Sequence, residues 1–181
     1  MSRAGKIARR TFLIGSAAIA GGVAFGVYMA KKPIPNPLLD DLKEGEAAIT
    51  PFVKIDAEGI TLITPRADKG QGAYSIQAYL IAEELDIDPA TATITPGMPG
   101  QAYYNATVLS EGVPFPAYQD GFVAETLRDF MSVPAKLFSI QMTGGSSTVP
   151  DGFDRMRLAG ATARETLKEA VARRGGVARG D

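Results

Sequence analysis

Two short glycine-rich segments, each just ahead of a helical pattern, hold the residues best suited to chemistry. The first is Gly70-Gln71-Gly72 and the second is Thr143-Gly144-Gly145-Ser146-Ser147. Glycine lets a backbone approach a ligand closely and adopt positive φ. Free N–H groups at a helix start form an anion site, which the helix dipole strengthens. The hydroxyls of Thr143, Ser146, Ser147 and Thr148 add donors for phosphate or pyrophosphate oxygens. The Gln71 amide donates and accepts together, which suits a heterocycle edge or a phosphate. Neither loop matches a dinucleotide fingerprint or a P-loop, since Lys69 precedes Gly70 instead of following a glycine-rich loop. Both segments also serve as plain turns or helix caps, so the residues alone leave ligand binding and capping open.

Other candidates carry less. Arg155 and Arg157 stand early in the last helical pattern, where they can clamp an anion or form a solvated basic face. Glu83, Glu84, Asp86 and Asp88 lack the spacing of a metal loop and read as surface. Tyr103 and Tyr104 read as core or cleft wall. The chain has no Cys and no His, which excludes thiol catalysis, disulfides, iron–sulfur ligation, His-based zinc or haem sites and Ser-His-Asp machinery. A net charge of −1 gives no sign of nucleic acid as partner. Redox chemistry, if present, must come from a cofactor held by backbone amides, hydroxyls and side-chain amides. No catalytic side chain and no metal ligand is assigned.

The elements that must position the loops follow from pattern. Phe52 to Ile55 and Gly59 to Thr64 are β-branched runs joined by the turn Asp56-Ala57-Glu58-Gly59, a predicted hairpin. A helix follows Gly72, with Ile76, Tyr79, Leu80 and Leu85 expected on its inner face, and stops at Asp86-Ile87-Asp88-Pro89. Thr91 to Thr95 reads as a strand and residues 96–100 as a loop. Residues 101–142 show little regular pattern beyond a short helix from Phe122 to Phe130, with Phe122, Leu127 and Phe130 inward. The longest helix begins after Ser147, runs through Phe153, Met156, Ala159-Gly160, Ala163, Leu167 and Val171, and stops at Gly175-Gly176. The small residues from Ala159 to Ala163 allow close approach to a neighbour. The expected fold is α+β, with a hairpin and mixed short strands packed on two main helices.

The N-terminus reads as an address. Arg9-Arg10-Thr11-Phe12-Leu13 is a twin-arginine pattern, and the uncharged run from Thr11 to Ala30 closes on Lys31 and Lys32. Twenty such residues cover about 30 Å, enough to span a bilayer. The run ends without an A-x-A cleavage site, so residues 1–30 are either an export signal or a retained membrane anchor. The charges at Arg3, Lys6, Arg9 and Arg10 keep the N-terminus inside. Pro33, Pro35 and Pro37, followed by Asp40, Asp41, Glu44 and Glu46, mark residues 31–48 as a linker. Residues 49–181 form the domain.

Taken jointly, these segments resemble the start of the molybdopterin-binding large subunit of the xanthine dehydrogenase and aldehyde oxidase family. The branch most similar is the isoquinoline 1-oxidoreductase beta-subunit type. The resemblance runs through Arg10-Thr11-Phe12-Leu13, the hairpin from Pro51 to Leu62, and Pro65-Arg66 through Gly70-Gln71-Gly72 to Glu84-Leu85. It continues through Thr143 to Thr148, then Arg157, Ala159-Gly160-Ala161 and Ala163-Arg164. The resemblance implies that Gly70, Gln71, Gly72, Thr143, Gly144, Gly145, Ser146 and Ser147 bind a molybdenum–molybdopterin cofactor, in the family often its cytosine dinucleotide form. It also implies an aldehyde or N-heterocycle hydroxylase, an iron–sulfur partner subunit, the remaining part of the large subunit as a further partner, and a periplasmic location with membrane contact through residues 11–30.

Departures qualify the likeness. Lys69 stands where the family usually has Met, Ala106 follows Tyr104-Asn105 where Pro is usual, and Arg173 to Val177 lack the family's aromatic pattern. The family subunit is several times longer, and its catalytic glutamate lies in a segment with no counterpart here. The chain therefore reads as a truncated piece that contributes cofactor loops and not the catalytic base, and alone it is expected to bind no cofactor tightly and to turn nothing over. The alternatives are a membrane-anchored periplasmic binding or scaffold module and a remnant without cofactor.

Overall fold

The computed structural model describes residues 3–116 and 118–176. Val177 and the last residues of the expected domain lie outside them. The chain divides into two units, Met1–Pro33 and Ile34–Asp181. The first unit is a single helix, α1 (Arg3–Lys31), whose stretch Arg10–Lys31 is long and apolar enough to cross a membrane and is not buried.

The second unit is α+β. Strands β1 (Ala47–Thr50), β2 (Val53–Asp56), β3 (Gly59–Thr64) and β4 (Thr93–Pro96) form one sheet in the order β1-β2-β3-β4. The first three are antiparallel, and β4 lies parallel to β3. The predicted hairpin is β2–β3, in register from Val53 opposite Leu62 to Asp56 opposite Gly59. Its turn closes because Asp56 Oδ1 accepts from the N–H groups of Glu58 and Gly59, at 2.9 and 3.1 Å, while Gly59 takes φ 140°. Parallel pairing needs a crossover, and α2 (Ala73–Leu85) supplies it. Asp86, at φ 64°, ends α2, and its N–H reaches the carbonyls of Ala82 and Glu83. Short α3 (Thr107–Ser110), α4 (Phe122–Leu137) and α5 (Thr148–Gly175) complete the unit.

Helices α2 and α5 pack on each other and on the sheet. Between them lie Phe52, Val53, Leu62, Ile63, Ala78, Ile81, Tyr103, Met156 and Ala163. Small residues set the spacing: a Cβ at Gly160 of α5 would stand 2.1 Å from the Ile81 carbonyl oxygen of α2. Burial of Tyr103 pushes its phenol up to about 12, and its hydroxyl donates to the Pro51 carbonyl at 2.8 Å. Ile34 and Leu38, within the stretch read as linker, pack against this core.

Two expected faces are corrected. Helix α2 buries Ala73, Gln77, Ala78, Leu80, Ile81, Ala82 and Leu85, whereas Ile76 and Tyr79 face solvent. Contact with both the sheet and α5 selects a wide inner surface made largely of small side chains. Helix α4 extends seven residues beyond Phe130, past Pro134, and turns Ala124 and Ala135 inward. Phe122, Leu127 and Phe130 are therefore exposed.

Candidate functional site

Each glycine-rich segment immediately precedes a helix. Gly72, at φ 81°, caps the start of α2, and Ser147 caps the start of α5. The second loop is a tight turn. Gly145 and Ser146 both have positive φ, 57° and 54°, and the Ser147 N–H donates to the Gly144 carbonyl at 3.2 Å. Two central residues with positive φ mark a mirror-image β-turn, for which glycine is the natural occupant.

The fold brings the two segments together. The Ala67 N–H donates to Thr143 Oγ1 at 2.9 Å, across 76 positions of sequence. Gly70, Gln71, Gly144, Gly145 and Ser146 are exposed, Gly72 and Thr143 are half-buried, and Ser147 is buried. A Cβ placed on Gly70, Gly72 or Gly144 would meet nothing within 4 Å, so their backbones are open to an incoming group. At Gly145 an added Cβ would lie 3.0 Å from a carboxylate oxygen of Glu111.

Several donors that the sequence offers to a ligand are engaged within the protein. Asp68 Oδ1 accepts from the Gly70 N–H at 2.7 Å, and its Oδ2 accepts from the Tyr74 N–H at 2.9 Å. These backbone hydrogen bonds, led by that from Tyr74, hold the Asp68 carboxyl below the usual carboxylate range. A carboxylate of the protein itself thus takes the place of an anion at the start of α2. Gln71 is tied locally: its Oε1 accepts from the Lys69 N–H, and its Nε2 donates to the Ala67 carbonyl at 2.9 Å. The Ser147 hydroxyl donates to the Gly144 carbonyl and accepts from Asn105 Nδ2, each at 2.7 Å.

Beneath the loops lies a polar hub that sequence reasoning missed. Buried Arg66 donates to the carbonyls of Tyr103 and Tyr104 and to Asp151 Oδ2, the last at 2.5 Å. Asp151 Oδ1 accepts from the Ala106 N–H at 2.6 Å. Asn105 accepts from the N–H groups of Thr107 and Val108 and donates to the Met142 carbonyl. The hub therefore clamps the root of the first loop to the first turn of α5 and to the segment entering the second loop. Arg66 adjoins Pro65 and Asp151 sits in a helix first turn, but nothing local in sequence pairs them across 85 positions.

The arginines do not form a solvated basic face. Arg155 donates to the carbonyls of Tyr104 and Ala102, each at 2.7 Å, and lies over the Tyr104 ring at 4.6 Å. Arg157 pairs with Glu84, joining α5 to α2. Neither Glu84 nor these guanidiniums is simply solvated surface. Among the described residues, no group of three or more acidic side chains is placed to hold a metal ion.

An α+β unit that presents two tethered glycine-bearing loops, each at the start of a helix, is the class of structure defined here. The chain is similar to the isoquinoline 1-oxidoreductase subunit beta of Brevundimonas diminuta, at 28% identity over 174 residues. That match covers 93% of this chain and 18% of that protein, so the chain spans about a fifth of its relative's length. No protein-family model matches the chain. No solved structure matches it.

Proposed function

We propose that this chain is a segment of a molybdenum hydroxylase large subunit, and that its two loops hold one side of a molybdopterin cofactor. The observation that carries this reading is the joining of the loops by the Ala67–Thr143 hydrogen bond. Segments that the family likeness marks separately as cofactor-binding are tied to each other at their roots, and the similarity to the Brevundimonas subunit runs along nearly the whole chain.

The residues fit such a group in part. The open backbones of Gly70, Gly72 and Gly144, the Gly145–Ser146 turn and the Ser146 hydroxyl are suited to phosphate or pterin edges. Gln71 reaches a ligand by giving up its bond to the Ala67 carbonyl, and Asp68 yields the Gly70 and Tyr74 amides to an incoming anion. Ser147 and Asn105 fix the turn from beneath. The cofactor, when bound, supplies the oxygen transfer and redox capacity of the hydroxylation. The protein's part is to orient it. An iron–sulfur subunit and the rest of the large subunit are the partners of this reading, and the cytosine dinucleotide is the form of cofactor proposed.

Export by the twin-arginine route, with residues 11–30 left as signal or anchor, belongs to the same proposal. It is supported by Arg9-Arg10 ahead of the apolar stretch of α1. The self-occupied start of α2 favours a second reading, a tethered binding or scaffold module that uses no cofactor.

The test is to co-express the whole chain with its genomic neighbours, purify it, and measure molybdenum and pterin. Stoichiometric metal with a second subunit supports the hydroxylase segment. A metal-free chain from the same co-expression selects the scaffold module.

A further inference from the structure

We propose that the outward face of α4 is the surface on which the remainder of the large-subunit body docks; this deepens the hydroxylase reading and rests on it. Val123, Leu127, Phe130 and Leu137 follow one another at steps of four, three and seven residues, a stripe on one side of the helix. Phe122 and Phe138 flank it, and the three phenylalanines are 84%, 61% and 72% exposed in chain order.

The orientation of the helix is fixed from within. Ala124 and Ala135 are buried on the inner side, and the Arg128 guanidinium donates to the carbonyls of Gln119 and Pro116. Turning the aromatic side inward would expose the alanines and break both Arg128 bonds. The apolar side thus faces outward as a settled feature of the fold, and a contiguous patch of this kind marks a surface that another body covers.

The similarity indicates which body. In the Brevundimonas protein the matching segment is 18% of the chain, so a segment of this kind is accompanied there by roughly four-fifths of a far larger polypeptide. The segment that follows α4 leads into the second loop. The helix ends at Leu137, the Asn105 N–H holds the Ile140 carbonyl at 2.6 Å, and Thr143 follows. Glu125 and Asp129 of the same helix are exposed as well. The matching surface is apolar at its centre.

The test grafts this chain in place of the matching segment of the Brevundimonas subunit and compares hydroxyl-radical labelling of the graft with that of the free full chain. Labelling of Phe122, Phe130 and Phe138 should fall severalfold in the graft. Leu127→Glu with Phe130→Glu should leave the free chain's melting unchanged and restore labelling of Phe122 and Phe138 in the graft. A soluble graft with α4 labelled as in the free chain overturns the proposal. So does a free chain already protected there as a dimer, or one protected by phosphatidylethanolamine–phosphatidylglycerol vesicles. Should the graft not fold, the Brevundimonas subunit lacking its matching segment is co-expressed with the free chain. Capture that the double variant abolishes supports the proposal, and no capture overturns it. Molybdenum in the graft separates the two readings: a metal-free graft with protected α4 keeps the docking face and removes the cofactor role.

Discussion

Asp151 ties the first turn of α5 to Arg66 and to the segment around Ala106. Its carboxylate meets Arg66 at 2.5 Å and the Ala106 N–H at 2.6 Å, with Arg155 at 3.3 Å. Removing one partner from a buried charge cluster costs about 3–5 kcal/mol, because the remaining charge is left without compensation. Asp151→Asn should therefore lower the melting temperature sharply, whereas Glu169→Gln, at an exposed pair with Arg173, should leave it within error in the same thermal scan. The Ala106 N–H is also the group that a proline at this position would lack. Ala106, where the family that the sequence resembles usually has Pro, thus bonds to the hub. Asp68 gives a pH prediction. Its carboxyl is depressed by backbone hydrogen bonds, so its stabilisation is complete above the ordinary Asp range and is lost as pH falls through the depressed value. The protection of the Gly70 and Tyr74 amides relative to an unstructured chain should fall on acidification through the depressed value, and in Asp68→Asn it should already be low at neutral pH. Unchanged exchange in that variant would mean that the carboxylate does not hold the loop.

At the scale of elements, the contact between α2 and α5 depends on one missing side chain. A Cβ at Gly160 would lie 2.1 Å from a backbone oxygen, which no rotamer change relieves. Gly160→Ala should force the helices apart at about 1–3 kcal/mol, the usual cost of overpacking. Gly152 lies in the same helix, but a Cβ there would meet Met156 at an ordinary 3.6 Å. Gly152→Ala should be neutral or stabilising by up to ~1 kcal/mol from helix propensity. Equal melting temperatures for the two variants would refute the close approach. The same elements show what was legible in the sequence. The β2–β3 hairpin, the start of α2 after Gly72 and the stop of α5 at Gly176 follow from local turn and cap chemistry, and the structure has them. The inner face of α2 does not, because which side is buried depends on α5, distant in sequence, as well as on the sheet. The hub of Arg66, Asn105 and Asp151 was hidden for the same reason. The loops themselves were visible as glycine-rich junctions. Their union through Ala67 and Thr143, and the self-occupied amides of the first, required the fold.

On the scale of the whole molecule, the Met1–Pro33 unit and the Ile34–Asp181 unit carry different kinds of information. The second unit's core is built from its own residues, with Ile34 and Leu38 packed against it. The first unit is exposed along its apolar stretch, which by length and composition alone is able to cross a membrane. If Arg9-Arg10 is a twin-arginine address, it is read by a receptor that requires the guanidinium pair and not positive charge in general. Arg9→Lys with Arg10→Lys keeps the charge and the apolar run, so membrane insertion by hydrophobicity alone would be unaffected. A reporter that is active only after export in the folded state, fused behind the full chain, should lose its periplasmic activity in the double lysine variant and keep it in Lys31→Arg. Equal export of the double variant and the parent would assign residues 11–30 to an ordinary secretory signal or anchor. It would also remove the export route as support for a cofactor loaded before translocation.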